Sequence, residues 1–303
     1  MADLLNSQFQ SVFTIEYQKN CTYIKPSSPI IFDIIVTEPG VNKLLKALKI
    51  GKASGVDNLP TRPLKECADN ISQIVTFIFN QTLNTCMLPN DWKSANITPI
   101  KKKDHMIWLR IIVLCLWRSS FVRQWSILTH STTSRDVNIV IPCQHGFRRY
   151  DSCETQLVTS SDDWAKTIDQ RQQTDVMTLD FCKAFVVVAH QRLLSKLSSY
   201  GIRGKLHTWV ASFLENRKQR AVVSSELSQW VPVSWGVPQG TVLSPLLFLI
   251  YINDITENIT SELRLFADDC LLYRTIKSLQ DCELLQQDLD RLAQWSENLA
   301  DEI

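Results

Sequence analysis

Two adjacent aspartates between short apolar runs are the sharpest chemical feature of this sequence. Asp268 and Asp269 stand between residues 263–266 and 271–273, a pattern that predicts a hairpin of two apolar strands with both acids at the bend. Aspartate is a good turn former, and that property alone accounts for most isolated Asp-Asp turns. Carboxylates fixed on rigid strands also suit Mg²⁺, which prefers hard oxygen ligands and keeps coordination positions open for substrate phosphates.

A third carboxylate, Asp180, follows the apolar residues 176–179 and is predicted to end a buried strand. Alone, it would be explained as a strand-end cap. If that strand lies beside the hairpin, Asp180, Asp268 and Asp269 form one acidic cluster. Such a cluster suits two Mg²⁺ ions about 3.5 to 4 Å apart, which can activate an attacking 3′-hydroxyl and stabilise a leaving pyrophosphate in an in-line phosphoryl transfer.

A tight glycine turn lies between these acids in the chain. Residues 237–241 read Val-Pro-Gln-Gly-Thr and precede an apolar stretch that predicts a helix through Ile252. A glycine turn at a helix start leaves backbone N–H groups free and lets a nucleotide or a backbone phosphate approach closely. Pro-x-Gly turns are common, so the inference depends on the order of three features along the chain. An acid follows a strand, a glycine turn precedes a helix, and an acidic hairpin comes next.

The elements that must position these residues are a mixture of helices and strands. Helical spacing of apolar residues occurs in the opening third of the chain, in a segment that stops at Gly201, and in the last segment, which has an acidic opposite face. The prolines of residues 1–40 predict an irregular connector. Helices are predicted near residues 41–48, 64–87, 191–200 and 281–299, and strands near 95–100, 175–180, 221–223 and 230–233.

The composition is that of a globular protein, with 45% hydrophobic and 21% charged residues in a chain of 303. The longest apolar stretches, residues 106–117 and 242–252, are shorter than the roughly 20 residues of a spanning helix. No secretion signal is evident in the first 30 residues. The nine cysteines include no Cys-x-x-Cys pair. We therefore expect no membrane partner, reduced thiols, no structural zinc, and a cytoplasmic or nuclear location.

Charge is unevenly distributed along the chain. The net charge is +1, but residues 281–303 carry −6, so the first 280 residues carry +7. A basic run is more often a solvated face than a phosphate contact, yet three such runs are candidates for binding nucleic acid. They contain Lys101, Lys102 and Lys103, then Arg148, and then Arg217, Lys218 and Arg220.

Longer motifs resemble the reverse transcriptases of non-LTR retrotransposons, the jockey-like group. The similarity covers roughly residues 5–103 and 138–295, and the motifs stand in the order of the family. Three of them hold the candidates above: Leu-Asp-Phe-Cys-Lys-Ala-Phe at 179–185, Gly-Val-Pro-Gln-Gly at 236–240 and Phe-Ala-Asp-Asp at 266–269. Further matches are at residues 52–57, 91–96, 144–148, 200–204, 216–220 and 246–254.

The resemblance implies an α+β fold, a right-hand polymerase with helical fingers and an antiparallel-sheet palm. It implies that Asp180 and Asp268 hold two catalytic Mg²⁺ ions with help from Asp269. It further implies that Phe185 excludes a 2′-hydroxyl and so selects dNTPs, and that Gln239 and Gly240 line the nucleotide pocket. The implied partners are an RNA template, a DNA primer and dNTPs, and the implied class is an RNA-directed DNA polymerase, a nucleotidyltransferase of a transposable element.

Boundaries follow from the same resemblance. We expect a connector at residues 1–30, fingers at 31–170 with an aberrant stretch at 104–135, a palm at 171–280, and part of an amphipathic helix at 281–303. The family continues beyond this point with a thumb, which we expect to be missing, along with its primer grip. An endonuclease domain normally precedes the region, and we expect no target-site nicking.

Several positions depart from the family pattern. The family carries Asn-Tyr-Arg-Pro-Ile-Ser after the lysines, with an arginine for the triphosphate, but nothing in residues 104–135 matches it. Val186 stands where the family has aspartate, Trp235 where it has serine, and Ser244 where it has glycine. These departures leave two alternatives to an active polymerase: a catalytically dead remnant that binds nucleic acid, and a pseudogene product that does not fold cleanly.

The abrupt loss and return of family text around residues 104–135 predicts a shifted reading frame, and three tryptophans crowded into this stretch agree with out-of-frame translation. Translating the coding DNA across codons 104–137 in the other two frames should therefore yield a sequence close to Tyr-Arg-Pro-Ile. If neither frame yields it, the stretch is a genuine insertion or a divergent loop.

Overall fold

The computed structural model describes residues 2–10, 35–50, 59–101, 107–112, 139–148, 150–181, 183–238, 240–241 and 243–300. Helices and strands are mixed along the chain, so the α+β class predicted from the sequence is confirmed. The helices are α1 (Ala2–Gln10), α2 (Glu38–Lys46), α3 (Thr61–Glu66), α4 (Ala68–Thr85), α5 (Cys153–Asp169), α6 (His190–Ser199), α7 (Gly204–Leu214), α8 (Leu243–Tyr251) and α9 (Leu279–Ala300), with a 3-10 helix at Asn90–Lys93.

Local sequence explains where these helices begin and end. Helix α5 begins at a capping box, in which the Ser152 hydroxyl accepts from the Thr155 backbone N–H and the Thr155 hydroxyl accepts from the Ser152 N–H. Helix α6 ends at Ser199 with Tyr200 as its C-cap, and Gly201 follows with φ +90°, a conformation that glycine adopts without steric cost. The predicted helix at 191–200 is confirmed within one residue at each end.

Two sheets organise the strands. The first has the order β2-β1-β4-β5, with β6 also paired to β4, and its β1–β4 pair is parallel. The second is a three-stranded antiparallel sheet of order β3-β8-β7. The strands are β1 (Ser94–Lys101), β2 (Ile107–Ile112), β3 (Gln173–Asp180), β4 (Arg217–Val223), β5 (Glu226–Leu227), β6 (Val231–Val233), β7 (Glu262–Phe266) and β8 (Asp269–Ile276).

The hydrophobic core has two parts. The larger one joins helices α2, α4, α6, α7 and α8 and includes the fully buried Trp209, Leu247 and Ile250. The smaller one lies between the second sheet and α9, around Leu265, Leu272 and Leu292. Burial of these side chains is the main favourable contribution to folding, at about 25 cal/mol per Å² of apolar surface removed from water. The two cores fix the second sheet against the helices.

Two expectations from the sequence were wrong. Strand β3, predicted to be buried, is an edge of the second sheet as described, and its Val176 and Met177 are 38% and 41% exposed. Part of the expected connector at residues 1–30 is helix α1, which docks on the first sheet because the Asn6 amide donates to the Gln229 carbonyl and the Asp3 carboxylate accepts from the Gln229 N–H.

The stretch expected to be aberrant, residues 104–135, is described only in part. Residues 107–112 form strand β2, which pairs antiparallel with β1 in a continuous register. The remainder of that stretch lies outside the described residues. Within the part of the chain that the structure describes, we find no helix with the length and apolar character to cross a membrane.

Candidate active site

The three predicted carboxylates meet at one end of the second sheet. Strand β3 pairs with β8 along its whole length, and Asp180 stands directly opposite Asp269. Strand β7 closes on β8 with Phe266 opposite Asp269, so only Ala267 and Asp268 form the bend. Residues directly opposite each other in antiparallel strands point to the same face of the sheet. Asp180 and Asp269 therefore share a face, with Asp268 beside them at the tip.

The charges of these carboxylates interact. Burial raises the pKa of the half-buried Asp268 carboxyl, and the negative charges of Asp269 and Asp180 raise it further, while a backbone hydrogen bond acts in the opposite direction. Like charges disfavour the ionised form of a neighbouring acid. The end of the sheet is thus a place where a cation would be stabilised.

The donor set fits a hard divalent cation. It consists only of carboxylate oxygens, the ligands that Mg²⁺ prefers, and a bound cation would relieve their mutual repulsion. Among the described residues, no three His, Cys, Asp or Glu side chains are arranged to hold a metal ion as they stand. Binding would therefore require the side chains of Asp180, Asp268 and Asp269 to rotate towards one another on the fixed backbone of the sheet end.

Phe185 lies in the turn that follows strand β3. Its ring stacks on Phe248 with centroids 4.3 Å apart and meets Phe147 edge to face at 6.3 Å. Its carbonyl oxygen accepts from the Val237 N–H at 2.9 Å. This contact and the stacking leave the ring half-buried.

Gly236 allows its own segment to pack closely against the backbone of Phe185 and Val186. Its φ is +77°, and a Cβ at this position would lie 2.7 Å from the carbonyl oxygen of Val186. The Gly236 N–H donates to the Val188 carbonyl at 2.9 Å, and the Gly236 carbonyl accepts from Nε2 of His190 at 2.8 Å. Burial lowers the pKa of His190. The segment holding Phe185 is therefore anchored to the glycine turn by backbone contacts.

The glycine turn itself is tightly bonded. The Pro238 carbonyl accepts from the hydroxyls of Thr241 and Ser244, and the Ser244 N–H donates to the Thr241 hydroxyl. Ser244, a departure from the family pattern, is thus accommodated by hydrogen bonds. Trp235, the bulkiest departure, is 3% exposed. Gly240 is exposed with φ +80°, and Gln239 lies outside the described residues.

The basic candidates divide into exposed and buried groups. Lys218 and Arg220 lie on β4 with their charged groups 5.0 and 4.4 Å from the ring centroid of Trp230. Arg220 also donates to the Asn96 side chain at 2.9 Å. Lys218 is exposed, whereas Arg220 is half-buried. The side chains of Lys101, Lys102 and Lys103 lie outside the described residues.

Arg217 and Arg148 are not placed to contact phosphate, contrary to the expectation from sequence. Arg217 is 4% exposed, and its guanidinium donates to the carbonyls of Phe213 and Trp92. Burial lowers its pKa to about 10. The Arg148 side chain is 13% exposed and donates to three backbone carbonyls of residues 141–144. Both guanidinium groups therefore donate hydrogen bonds to backbone carbonyls of the protein itself.

Comparisons with known proteins identify the family of the chain. The family model described as reverse transcriptase (RNA-dependent DNA polymerase) matches residues 100–303. The RNA-directed DNA polymerase from mobile element jockey of Drosophila melanogaster is 30% identical, with 87% of this chain and 30% of the relative covered. The probable RNA-directed DNA polymerase from transposon BS of the same species is 26% identical, covering 95% of this chain and 33% of the relative. The chain thus spans about a third of the length of these curated relatives.

Proposed function

This chain belongs to the reverse transcriptase (RNA-dependent DNA polymerase) family, and we propose that it is a polymerase domain of a non-LTR retrotransposon that adds dNTPs to a primer 3′-hydroxyl on an RNA template. The observation that carries the proposal is the register of the second sheet. Asp180 and Asp269 face each other across β3 and β8, and Asp268 occupies the bend next to them. Three carboxylates on one rigid sheet end are suited to phosphoryl transfer.

Asp180, Asp268 and Asp269 are the residues that would hold two Mg²⁺ ions. When bound, Mg²⁺ supplies Lewis-acid activation of the attacking hydroxyl and neutralises charge on the leaving pyrophosphate. The protein's own contribution is positioning: strands β3 and β8 keep the carboxylates in register, and Phe185, stacked on Phe248, blocks the space of a 2′-hydroxyl. The exposed Gly240 turn, together with Gln239, would receive the nucleotide.

We assign the palm to residues 171–280 and the fingers to 31–170. The second sheet and the helices packed on it support the palm assignment, and helices α2–α4 support the fingers. Strand β4, within the palm range, pairs with β1 of the fingers, so one sheet joins the two regions. On β4, Lys218 and Arg220 beside Trp230 offer cationic and aromatic groups, which bind nucleic acid through phosphate charge and base stacking.

A second function is favoured by one position. Val186, half-buried in the turn after Phe185, stands where the family has an aspartate. A chain with this substitution can retain nucleic-acid binding while losing templated addition. This remnant would bind RNA in a salt-dependent manner, with no incorporation of dNTPs at any salt concentration.

The metal site is tested by measuring Mn²⁺ binding calorimetrically in the purified chain. We expect Asp180→Asn and Asp268→Asn each to weaken Mn²⁺ binding by more than tenfold, since even outer-shell changes cost roughly 10- to 100-fold in metal affinity. Asp175→Asn is the matched control, because it makes the same change on the same strand, opposite Arg274 and away from the sheet end. Equal Mn²⁺ affinity in native chain, Asp180→Asn and Asp268→Asn would contradict the assignment.

A further inference from the structure

The bend that carries Asp268 adopts an unfavourable backbone conformation. Ala267, the first of the two residues between β7 and β8, has φ +56°. Two-residue hairpins favour glycine, asparagine or aspartate at positions with positive φ, because a Cβ is disfavoured there by about 1 to 2 kcal/mol. The bend of this hairpin therefore needs an interaction from outside the hairpin to hold it.

Gln144 provides that interaction. Its side-chain Nε2 donates to the Ala267 carbonyl at 3.1 Å, and its Oε1 accepts from the Ala267 N–H at 2.9 Å. The same Oε1 accepts from the Gly146 N–H at 2.7 Å. Gln144 is 1% exposed. A primary amide is the side-chain group that can both donate to a carbonyl and accept from an N–H of one residue in this way.

Gln144 is itself held in place by the backbone around it. Leu265 of β7 accepts a hydrogen bond from the His145 N–H at 2.8 Å and donates to the Cys143 carbonyl at 2.9 Å, so the segment extends the second sheet beyond β7. Arg148 donates to the Gln144 carbonyl at 3.1 Å. The amide of Gln144 thus projects from a fixed backbone.

Gly146 shows how close the two segments are. A Cβ at Gly146 would lie 2.2 Å from the backbone nitrogen of Ala267 and 2.9 Å from its Cα. Real Cβ contacts are never that short, so residue 146 must be glycine for this packing. The bend is enclosed by the segment that carries Gln144 instead of projecting freely into solvent, and Ala267 is 7% exposed.

We propose that Gln144 is a positioning residue that fixes the Ala267–Asp268 bend and thereby sets how well the carboxylates of the sheet end bind divalent cations. This inference depends on the proposed function, since it assigns Gln144 a role at that same site. Gln144 acts through Ala267, because its side-chain amide bonds backbone atoms of Ala267 and Gly146. Loss of its three hydrogen bonds would free the bend to relax, and Asp268 would leave its position beside Asp180 and Asp269.

The test compares Mn²⁺ affinity, measured by calorimetry, in Gln144→Met and Gln219→Met. Gln219 is the matched control, because it is a buried glutamine, 3% exposed, on β4 of the other sheet. We expect Gln144→Met to weaken Mn²⁺ binding by about tenfold or more, the effect typical of outer-shell residues, and Gln219→Met to leave it unchanged. Hydrogen exchange of peptides spanning the bend should become faster in Gln144→Met alone.

A rescue variant separates positioning from general packing. Adding Ala267→Gly to Gln144→Met should recover part of the lost Mn²⁺ affinity, because glycine adopts positive φ without steric cost. If Gln144→Met does not fold, Gln144→Asn replaces it: the amide is retained but is one methylene shorter, so it cannot keep all three hydrogen bonds, and the same loss is expected.

Two outcomes overturn different claims. If the Gln144 variant binds Mn²⁺ within twofold of the native affinity while Asp268→Asn binds Mn²⁺ much more weakly, the positioning role is refuted and the metal site stands. Unchanged affinity in Asp268→Asn removes the proposed metal site, whatever the Gln144 variant shows.

Discussion

The purified chain should give no detectable extension of a DNA primer annealed to an RNA template in the presence of dNTPs and Mg²⁺. Positioning and electrostatic stabilisation supply nearly all the catalysis in phosphoryl transfer, and two of the family's charged groups are missing. Val186 replaces an aspartate, and nothing in residues 104–135 matches the motif with the triphosphate-binding arginine. By analogy with arginine fingers, losing one such cation costs about 10³- to 10⁵-fold in rate.

Repair of both positions should bring extension back. The repaired chain carries Val186→Asp and, at residues 104–135, the corresponding segment of the jockey relative. The change leaves the backbone N–H of residue 186, which donates to the Lys183 carbonyl, unaffected. We expect a rate at least about 10³-fold above that of the native chain. Measurement is by gel separation of extended primers over time.

Two controls make this experiment decisive. Val186→Asn in the same repaired background is close in shape to Val186→Asp but uncharged, and it should remain near background. Asp268→Asn in the repaired chain should abolish extension. Extension by the native chain that disappears in Asp268→Ala would contradict the prediction, and would show that Val186 and the divergent segment are compatible with catalysis.

The local pattern of the sequence predicted the elements around the site well. The hairpin at 263–273 is β7 and β8, and the strand ending in Asp180 is β3. These elements follow from short-range alternation and turn residues, which depend little on distant contacts. What the alternation could not supply is the sheet order. Val176 and Met177 look buried in sequence, yet they are partly exposed, and β3 is an edge strand of the second sheet within the residues that the structure describes.

Side-chain roles were harder to predict where the partner is a backbone atom. Arg217 and Arg148 have the composition of a phosphate-binding run, but in the fold their guanidinium groups donate to backbone carbonyls, and for Arg217 one of these, Trp92, is 125 residues away. The same reason hides Gln144, whose partner Ala267 is 123 residues away in the chain. A polar residue between Cys143 and His145 gives no signal of burial, and only the distance to Ala267 reveals its role.

Asp254→Asn should destabilise the chain more than a comparable change at the surface. The Asp254 carboxylate lies 2.7 Å from Nζ of Lys196, with side chains only 10% and 3% exposed. Lys196 also donates to the Tyr251 carbonyl. Removing one partner of a buried ion pair leaves the other charge uncompensated, at a cost of about 3 to 5 kcal/mol in the free energy of unfolding. Urea denaturation with a constant m-value measures this loss.

An exposed pair provides the matched control. Asp69 and Lys46 form an ion pair at the surface, with side chains 68% and 52% exposed, so Asp69→Asn should cost less than about 1 kcal/mol. Replacing both buried partners, as Lys196→Met with Asp254→Leu, should cost far less than Asp254→Asn, because no charge is left buried. Equal losses for Asp254→Asn and Asp69→Asn would refute this account.

The pH dependence of the Asp254→Asn deficit has a definite sign. Burial lowers the pKa of Lys196 from 10.5, and the charge of Asp254 opposes that shift. Without Asp254 the pKa of Lys196 in the folded state falls further below its unfolded value. Between those two values the unfolded chain binds more protons, so stability rises with pH. The deficit should therefore shrink as the pH rises towards the unfolded-state pKa of Lys196, because deprotonation removes the uncompensated charge from the folded variant.

The buried pair of Asp254 and Lys196 also connects helix α9 to the acidic end of the second sheet. The Trp295 indole N–H of α9 donates to the Asp254 carboxylate at 3.2 Å, and its ring meets Phe181 edge to face at 5.7 Å. Phe181 directly follows Asp180 at the end of β3. Asp254→Asn removes the negative charge that the Trp295 indole contacts, so we expect the packing of Trp295 against Phe181 to loosen. Because Phe181 directly follows Asp180, Mn²⁺ binding should weaken, although Asp254 is not one of the three clustered carboxylates.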